Sequence, residues 1–288
     1  SCSIFGHVRL WLSSFWNNEK AINFFLDYLV ALVLGIVQGL TEFLPVSSSG
    51  HLEIIKGIFS TDFDPKESLI MTVVLHFATS LSTMFIFRKE ILKLINGIFS
   101  KESSEEKSFS FNIIVSMIPA VVVGVFFNDI IESLFDGQLI LVGFMLIITG
   151  ILLFFADKAK PTNNFISTSQ SFLIGIAQAV AILPGISRSG ATIATSVILG
   201  LDKTSSAKFS FLMVLPLIFG KVVKELMNGN ILSEAIDLGP LTLGFFAAFF
   251  TGLFACKWMI GIVKSSKLKY FSYYCFVVAS ITILFKLK

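Results

Sequence analysis

Charge is what this sequence has least of. Only 14% of its 288 residues are Asp, Glu, Lys or Arg, while 55% are hydrophobic and mean hydropathy is +0.85. Soluble domains carry roughly 25% charged residues, so a soluble enzyme is excluded and a polytopic membrane protein remains. Cysteine is nearly absent. Cys2, Cys256 and Cys275 have no metal-type spacing and read as free thiols or small hydrophobes, which excludes a zinc or disulfide framework. No block of Lys and Arg alternates with aromatics, so nucleic acid is excluded as a partner. The first 27 residues offer neither a signal-peptide core nor a clear cleavage site. Their Trp11, Phe15, Trp16, Phe24 and Phe25 suit a segment lying at the membrane interface, with His7 facing solvent.

Against that apolar background one stretch stands out, GIVQGLTEFLPVSSSGHL from Gly35 to Leu52. Gln38 and Glu42 are four residues apart and share one helix face. Pro45 ends that helix, and the polar run Ser47, Ser48, Ser49, Gly50, His51 precedes the next apolar residue. Hydroxyls and glycine at the start of a new helix leave its first N–H groups available to an anion. The same pattern returns as GIAQAVAILPGISRSGAT, Gly175 to Thr192, at a constant shift of 140. Gly35, Ile36 and Gln38 fall on Gly175, Ile176 and Gln178; Ser47, Ser49 and Gly50 fall on Ser187, Ser189 and Gly190.

The chain therefore reads as all-α, in two related halves. Residues 1–27 form the interfacial extension. Residues 28–156 hold a re-entrant broken hairpin at 29–58 and spans near 69–87, 109–127 and 139–155. After a linker at 157–169, residues 170–288 hold a second re-entrant hairpin at 171–199 and spans near 209–227, 241–262 and 271–285. Three crossings per half make six spans and two inverted repeats, which bring the broken helices together near the midplane. Loops at 88–107, 158–160, 203–208 and 264–269 carry twelve Lys and Arg, whereas the turns at 129–136 and 228–238 carry none. The positive-inside rule puts the first set in the cytoplasm and opens the first hairpin outward.

A glutamate at the bilayer centre costs roughly 2.5–3.5 kcal/mol on insertion scales, so Glu42 reads as functional. Gln38 is either its partner or a structural amide. Arg188, one of three arginines, lies between Ser187 and Ser189, with Gly190 and Thr192 following. It reads as part of a donor fork for phosphate oxygens rather than a cap on helix carbonyls. His51 adjoins the anion cradle. His76, in the middle of a span near Thr79 and Ser80, reads as a packing residue, with a place in the cavity lining as the alternative. Gly35 and Gly39 read as a helix-packing face. Glu42, His51 and Arg188 are expected to converge on one pocket, the residue set of phosphoryl chemistry. Arg188→Ala is expected to abolish turnover and leave the fold intact.

GIVQGLTEFLPVSSSGH and PGISRSGAT together resemble the two signature motifs of the bacterial undecaprenyl-pyrophosphate phosphatase, or bacitracin-resistance, family. The resemblance extends from about Leu29 to Phe285 and includes LHFATSLS, SMIPAVVVG and FSFLMVLP. It implies removal of the terminal phosphate from a C55 isoprenyl diphosphate, giving the monophosphate carrier reused in peptidoglycan synthesis, and with it bacitracin resistance. It implies a multi-pass protein of the bacterial inner membrane whose site opens to the periplasmic side. By motif position, Glu42 and Gln38 would hold a divalent cation, Mg2+ or Ca2+, or orient water. His51 would be general base or nucleophile partner, and Ser48 would bind phosphate or attack it. Arg188 would clamp the diphosphate with Ser47, Ser49, Ser187, Ser189, Gly190 and Thr192. Gln38 stands where some members have a second glutamate. The oligomeric state is left open, a homodimer included. A polyprenyl-phosphate transporter is the competing reading of the inverted repeat. Acid-phosphatase-like lipid phosphatases are excluded, because they need a histidine after the arginine and none follows His76.

Overall fold

The computed structural model describes residues 19–59, 65–101, 104–134, 138–160, 165–227, 237–265 and 267–287. The described residues are helical, with no strand among them. In chain order the helices are α1 (Glu19–Thr41), α2 (Ser48–Phe59), α3 (Pro65–Ile86), α4 (Arg88–Phe99), α5 (Ser104–Phe126), α6 (Asn128–Ser133), α7 (Leu139–Lys158), α8 (Thr168–Val180), α9 (Arg188–Ile198), α10 (Lys203–Met213), α11 (Leu215–Met227), α12 (Leu238–Ser265) and α13 (Leu268–Leu287). Seven segments among the described residues are long and apolar enough to cross a membrane. The protein is a multi-pass membrane protein, and its exposed surface agrees. Phe246, Phe250 and Phe254 on α12 and Ile281, Leu284 and Phe285 on α13 face outward, where lipid rather than water accepts them.

The helices differ from the expected spans at several points. The differences have local causes. Glu19 to Gln38 contains neither proline nor any glycine before Gly35, so nothing breaks the helix at residue 27. Residues 19–27 therefore join α1, whose 23 residues span about 34 Å. That length is why seven candidate spans stand in place of six. Residues 1–18 of the extension lie outside the described residues, as do 228–236 of one Lys/Arg-free turn. The expected loop at 88–107 contains α4, an amphipathic helix with Ile91 and Leu94 on the core and Leu92, Ile95, Ile98 and Phe99 outward. The span expected at 209–227 begins earlier, because Asp202 caps α10 by accepting from the N–H groups of Thr204 and Ser205, each at 3.0 Å. It also breaks at Val214, where Pro216 removes the N–H that would reach Leu212.

Packing places the two broken segments at the centre. α1 lies along α12, α8 along α5, and α7 along α13. Small residues set the closest approaches. Gly39 meets Thr251, Ala248 and Gly252 of α12, and Gly175 of α8 sits on the backbone of Ser116 in α5. Between these layers the largest core cluster joins Leu146 and Leu153 of α7, Ile193 and Val197 of α9, Phe211 of α10, Met259 of α12 and Cys275 and Ala279 of α13. Gln170 near the start of α8 donates to the carbonyl of Leu199 at the end of α9, 3.0 Å away. The α8–α9 hairpin thus returns to the end where it began. That end also holds the Lys203–Asp157 ion pair and the bond from Asn112 to the Ile166 carbonyl.

Candidate active site

Each hairpin tip is built the same way. In the first, Ser47 caps α2: its hydroxyl accepts from the Gly50 N–H at 3.2 Å and lies 3.3 Å from the Ser49 hydroxyl. In the second, Ser187 caps α9, with Gly190 N–H at 2.9 Å and Ser189 hydroxyl at 3.3 Å. Both caps leave the first N–H groups of a helix outside its ladder, those of Ser48 and Ser49 and those of Arg188 and Ser189. Ser47 is the single non-glycine residue with positive φ (70°) among the described residues. Such a conformation costs about 1–3 kcal/mol and is held by its surroundings. Here the His51 side chain and backbone N–H both donate to the Ser47 carbonyl, at 2.7 and 3.2 Å.

The two tips touch. The Ser189 hydroxyl donates to the Leu44 carbonyl at 3.2 Å, and a Cβ on Gly50 would stand 3.1 Å from Gly185. Across this contact Arg188 and Glu42 form an ion pair and hydrogen bond, Nη2 to Oε1. The same guanidinium donates through Nη1 to the Ser210 carbonyl at 3.0 Å, so Arg188 spans two helices. Glu42, 7% exposed, accepts two further hydrogen bonds at Oε2, from Gln38 Nε2 at 3.0 Å and Ser48 Oγ at 2.8 Å, and His76 Nε2 stands 3.6 Å from the same oxygen. A buried carboxylate is tolerated only with such partners. The expected meeting of Glu42 and Arg188 is therefore direct.

Other predicted residues take different places. His51 does not sit on Glu42. Its Nδ1–H points to the Ser47 carbonyl, so Nε2 accepts the Tyr274 hydroxyl at 2.8 Å, with the two rings stacked at 5.7 Å. Thr192 does not point free into the site. Its hydroxyl donates to the Arg188 carbonyl (2.8 Å) and meets the Ser210 hydroxyl (2.6 Å), so it braces the helix carrying Arg188. Gly190 fits because a Cβ would meet Ser187 at 2.9 Å and the Pro45 carbonyl at 3.3 Å. His76, read from the sequence as a packing residue, lies against Glu42, and Tyr274 and Ser210 join the site without having been foreseen. Ser210 falls inside FSFLMVLP, so its motif was in view; Tyr274 has no motif to mark it.

The same residues include donors for a divalent cation. A carboxylate can only accept, so the Gln38 amide turns its nitrogen to Glu42. Its carbonyl oxygen is left buried and without a hydrogen bond among the described residues. Glu42 and that oxygen are hard donors of the kind Mg2+ and Ca2+ take. Among the described residues no three His, Cys, Asp or Glu cluster as a metal cage. The set fits an ion whose remaining ligands come from phosphate and water, the usual manner of Mg2+.

The family model described as "Bacitracin resistance protein BacA" matches residues 31–281. The chain belongs to this family. Among its curated relatives, an undecaprenyl-diphosphatase of Christiangramia forsetii is 56% identical over 90% of this chain and 98% of its own length. One of Bacteroides fragilis is 47% identical over 90% of this chain and 98% of its own, and one of Methanococcus vannielii 43% over 88% and 98%. Both hairpin tips lie within the residues that the family model matches.

Proposed function

We infer that the protein is an undecaprenyl-diphosphatase, hydrolysing the C55 isoprenyl diphosphate to its monophosphate and inorganic phosphate. The observation that carries this is the junction of the two hairpin tips, where Ser48, Glu42 and Arg188 form one bonded unit beside two capped helix starts. The relatives' printed activity is this hydrolysis. Transport, the other reading an inverted repeat allows, has no support among them. The product returns to peptidoglycan synthesis as lipid carrier, which gives the bacitracin resistance after which the family is called.

Phosphoryl transfer is mostly positioning and neutralisation of charge. Arg188 is the fixed positive charge, and the free N–H groups of the two helix starts add donors for the equatorial oxygens. Ser48 attacks the terminal phosphorus, and its proton passes to Glu42 Oε2. The bond from that phosphorus to the bridging oxygen breaks, and undecaprenyl monophosphate leaves. Water then cleaves the phosphoserine, with Glu42 returning the proton. His51, held by Tyr274, keeps Ser47 in its strained conformation and so aims the α2 start. A divalent cation at Glu42 and Gln38 would neutralise the diphosphate further. The halves are inverted repeats: under the shift of 140, α1 corresponds to α8 and α5 to α12, so the pairs α1–α12 and α5–α8 are counterparts, and α7 packs on its own counterpart α13. The protein lies in the inner membrane, with its site opening to the periplasm. The test is acid quenching with terminally labelled substrate. Label retained on wild type and absent from Ser48→Ala supports serine attack; turnover without any retained label in a rapid-quench series means that water attacks.

A further inference from the structure

We propose that His76 is a ligand, through Nε2, of the divalent cation at Glu42 and Gln38, and that the site thereby prefers a first-row transition ion such as Mn2+ over Ca2+. The proposal rests on the cation reading above, which gave only Glu42 and Gln38 as ligands.

His76 Nδ1 lies 2.8 Å from the Thr72 carbonyl. A carbonyl can only accept, so Nδ1 carries the hydrogen and the neutral ring presents a lone pair at Nε2. Metal-binding histidines are held in this way, the distal ring N–H given to a backbone carbonyl. Nε2 is 3.6 Å from Glu42 Oε2, too far for a hydrogen bond and too near to ignore. Two ligands of one ion at about 2.1 Å stand about 3.0–3.6 Å apart for angles between ninety and 120 degrees. The third electron-pair donor is the unpaired Gln38 Oε1, 0% exposed as a residue. Its position is tied to the same helix, since Gln38 Nε2 also reaches Thr79 Oγ1 at 3.4 Å, one turn beyond His76. The His76 lone pair and the Glu42 carboxylate repel at this distance, and a cation between them removes the repulsion. An imidazole among oxygens moves the preference from Ca2+ toward first-row transition ions.

The test uses the full-length protein in detergent with Mn2+ alone as the probe, read by electron spin echo modulation. Wild type is expected to show one directly coordinated imidazole nitrogen. His76→Ala and the milder His76→Gln should lose it, with Mn2+ binding at least tenfold weaker in the alanine variant, while His51→Ala keeps it. Bound Mn2+ without a nitrogen signal, a signal that survives in both His76 variants, or no Mn2+ bound at all would each overturn the proposal. Phosphate release measured on the same samples separates the two readings. Release without the nitrogen signal removes His76 from the metal and leaves the phosphatase standing, and a nitrogen signal without release does the reverse.

Discussion

Replacing Arg188 by methionine removes the charge and keeps most of the volume. The arginine donates to Glu42 and to the Ser210 carbonyl, and both members of the pair are largely enclosed, with side chains 17% and 8% exposed. An arginine that stabilises phosphoryl transfer is worth roughly 10³–10⁵ in turnover, so Arg188→Met should lose at least about a thousandfold. It should also destabilise the fold. Removing one partner of a buried pair costs about 3–5 kcal/mol, because the other charge is left without compensation. This revises the expectation that the fold would be untouched. Glu42→Gln removes the opposite charge of the same pair. The double variant carries no unpaired charge, so it should melt higher than Arg188→Met while remaining as inactive as either single variant. Thermal unfolding in detergent and phosphate release on the four proteins give the cycle. Strict additivity in both readouts would refute the view that Glu42 and Arg188 act as one unit.

Other consequences reach further from the centre. Gly39→Ala places a methyl against Thr251 and the Ala248 carbonyl and should cost about 1–3 kcal/mol by overpacking, read as a lower melting temperature with residual activity per folded molecule unchanged. Tyr274→Phe removes the hydroxyl on His51 Nε2 and should lower turnover about tenfold, the loss of one net hydrogen bond of about 1–1.5 kcal/mol; unchanged turnover would detach His51 from the mechanism. Ser133→Cys, placed in a chain with Cys2, Cys256 and Cys275 changed to alanine, should react with an impermeant maleimide on intact cells. Labelling only after lysis would reverse the orientation.

The sequence showed the site better than its surroundings. Two interrupted apolar segments with matching serines and glycines were enough to bring Glu42 and Arg188 together, because a charge in a membrane segment needs a partner and only one arginine was available near a break. The small-residue face of Gly35 and Gly39 was legible for the same reason, as close packing leaves little choice of side chain. His76 was left between packing and cavity lining because one histidine in the middle of a span carries no sign of what it faces; only the approach of α3 to the first hairpin tip decides that. Tyr274 was invisible among Tyr270 and Tyr273 on α13, since rotation about the helix axis selects which of them meets His51. Thr192 was assigned to substrate from its place beside Arg188, Ser187 and Ser189, and the Ser210 hydroxyl that meets it comes from a helix 18 residues away. The helical α4 was lost because its charges suggested a loop, although Ile91 and Leu94 recur at helical spacing.

The measurement that bears most directly on the account is phosphate release from a C55 isoprenyl diphosphate by the purified protein in detergent, with wild type beside Ser48→Ala, Glu42→Gln and His51→Ala, with and without chelator. Wild type should release phosphate, and release should fall at least about a thousandfold in Ser48→Ala and Glu42→Gln, in line with loss of a group acting on the transferred phosphoryl. Wild type that binds the lipid and releases no phosphate, under any divalent cation, would contradict the phosphatase reading.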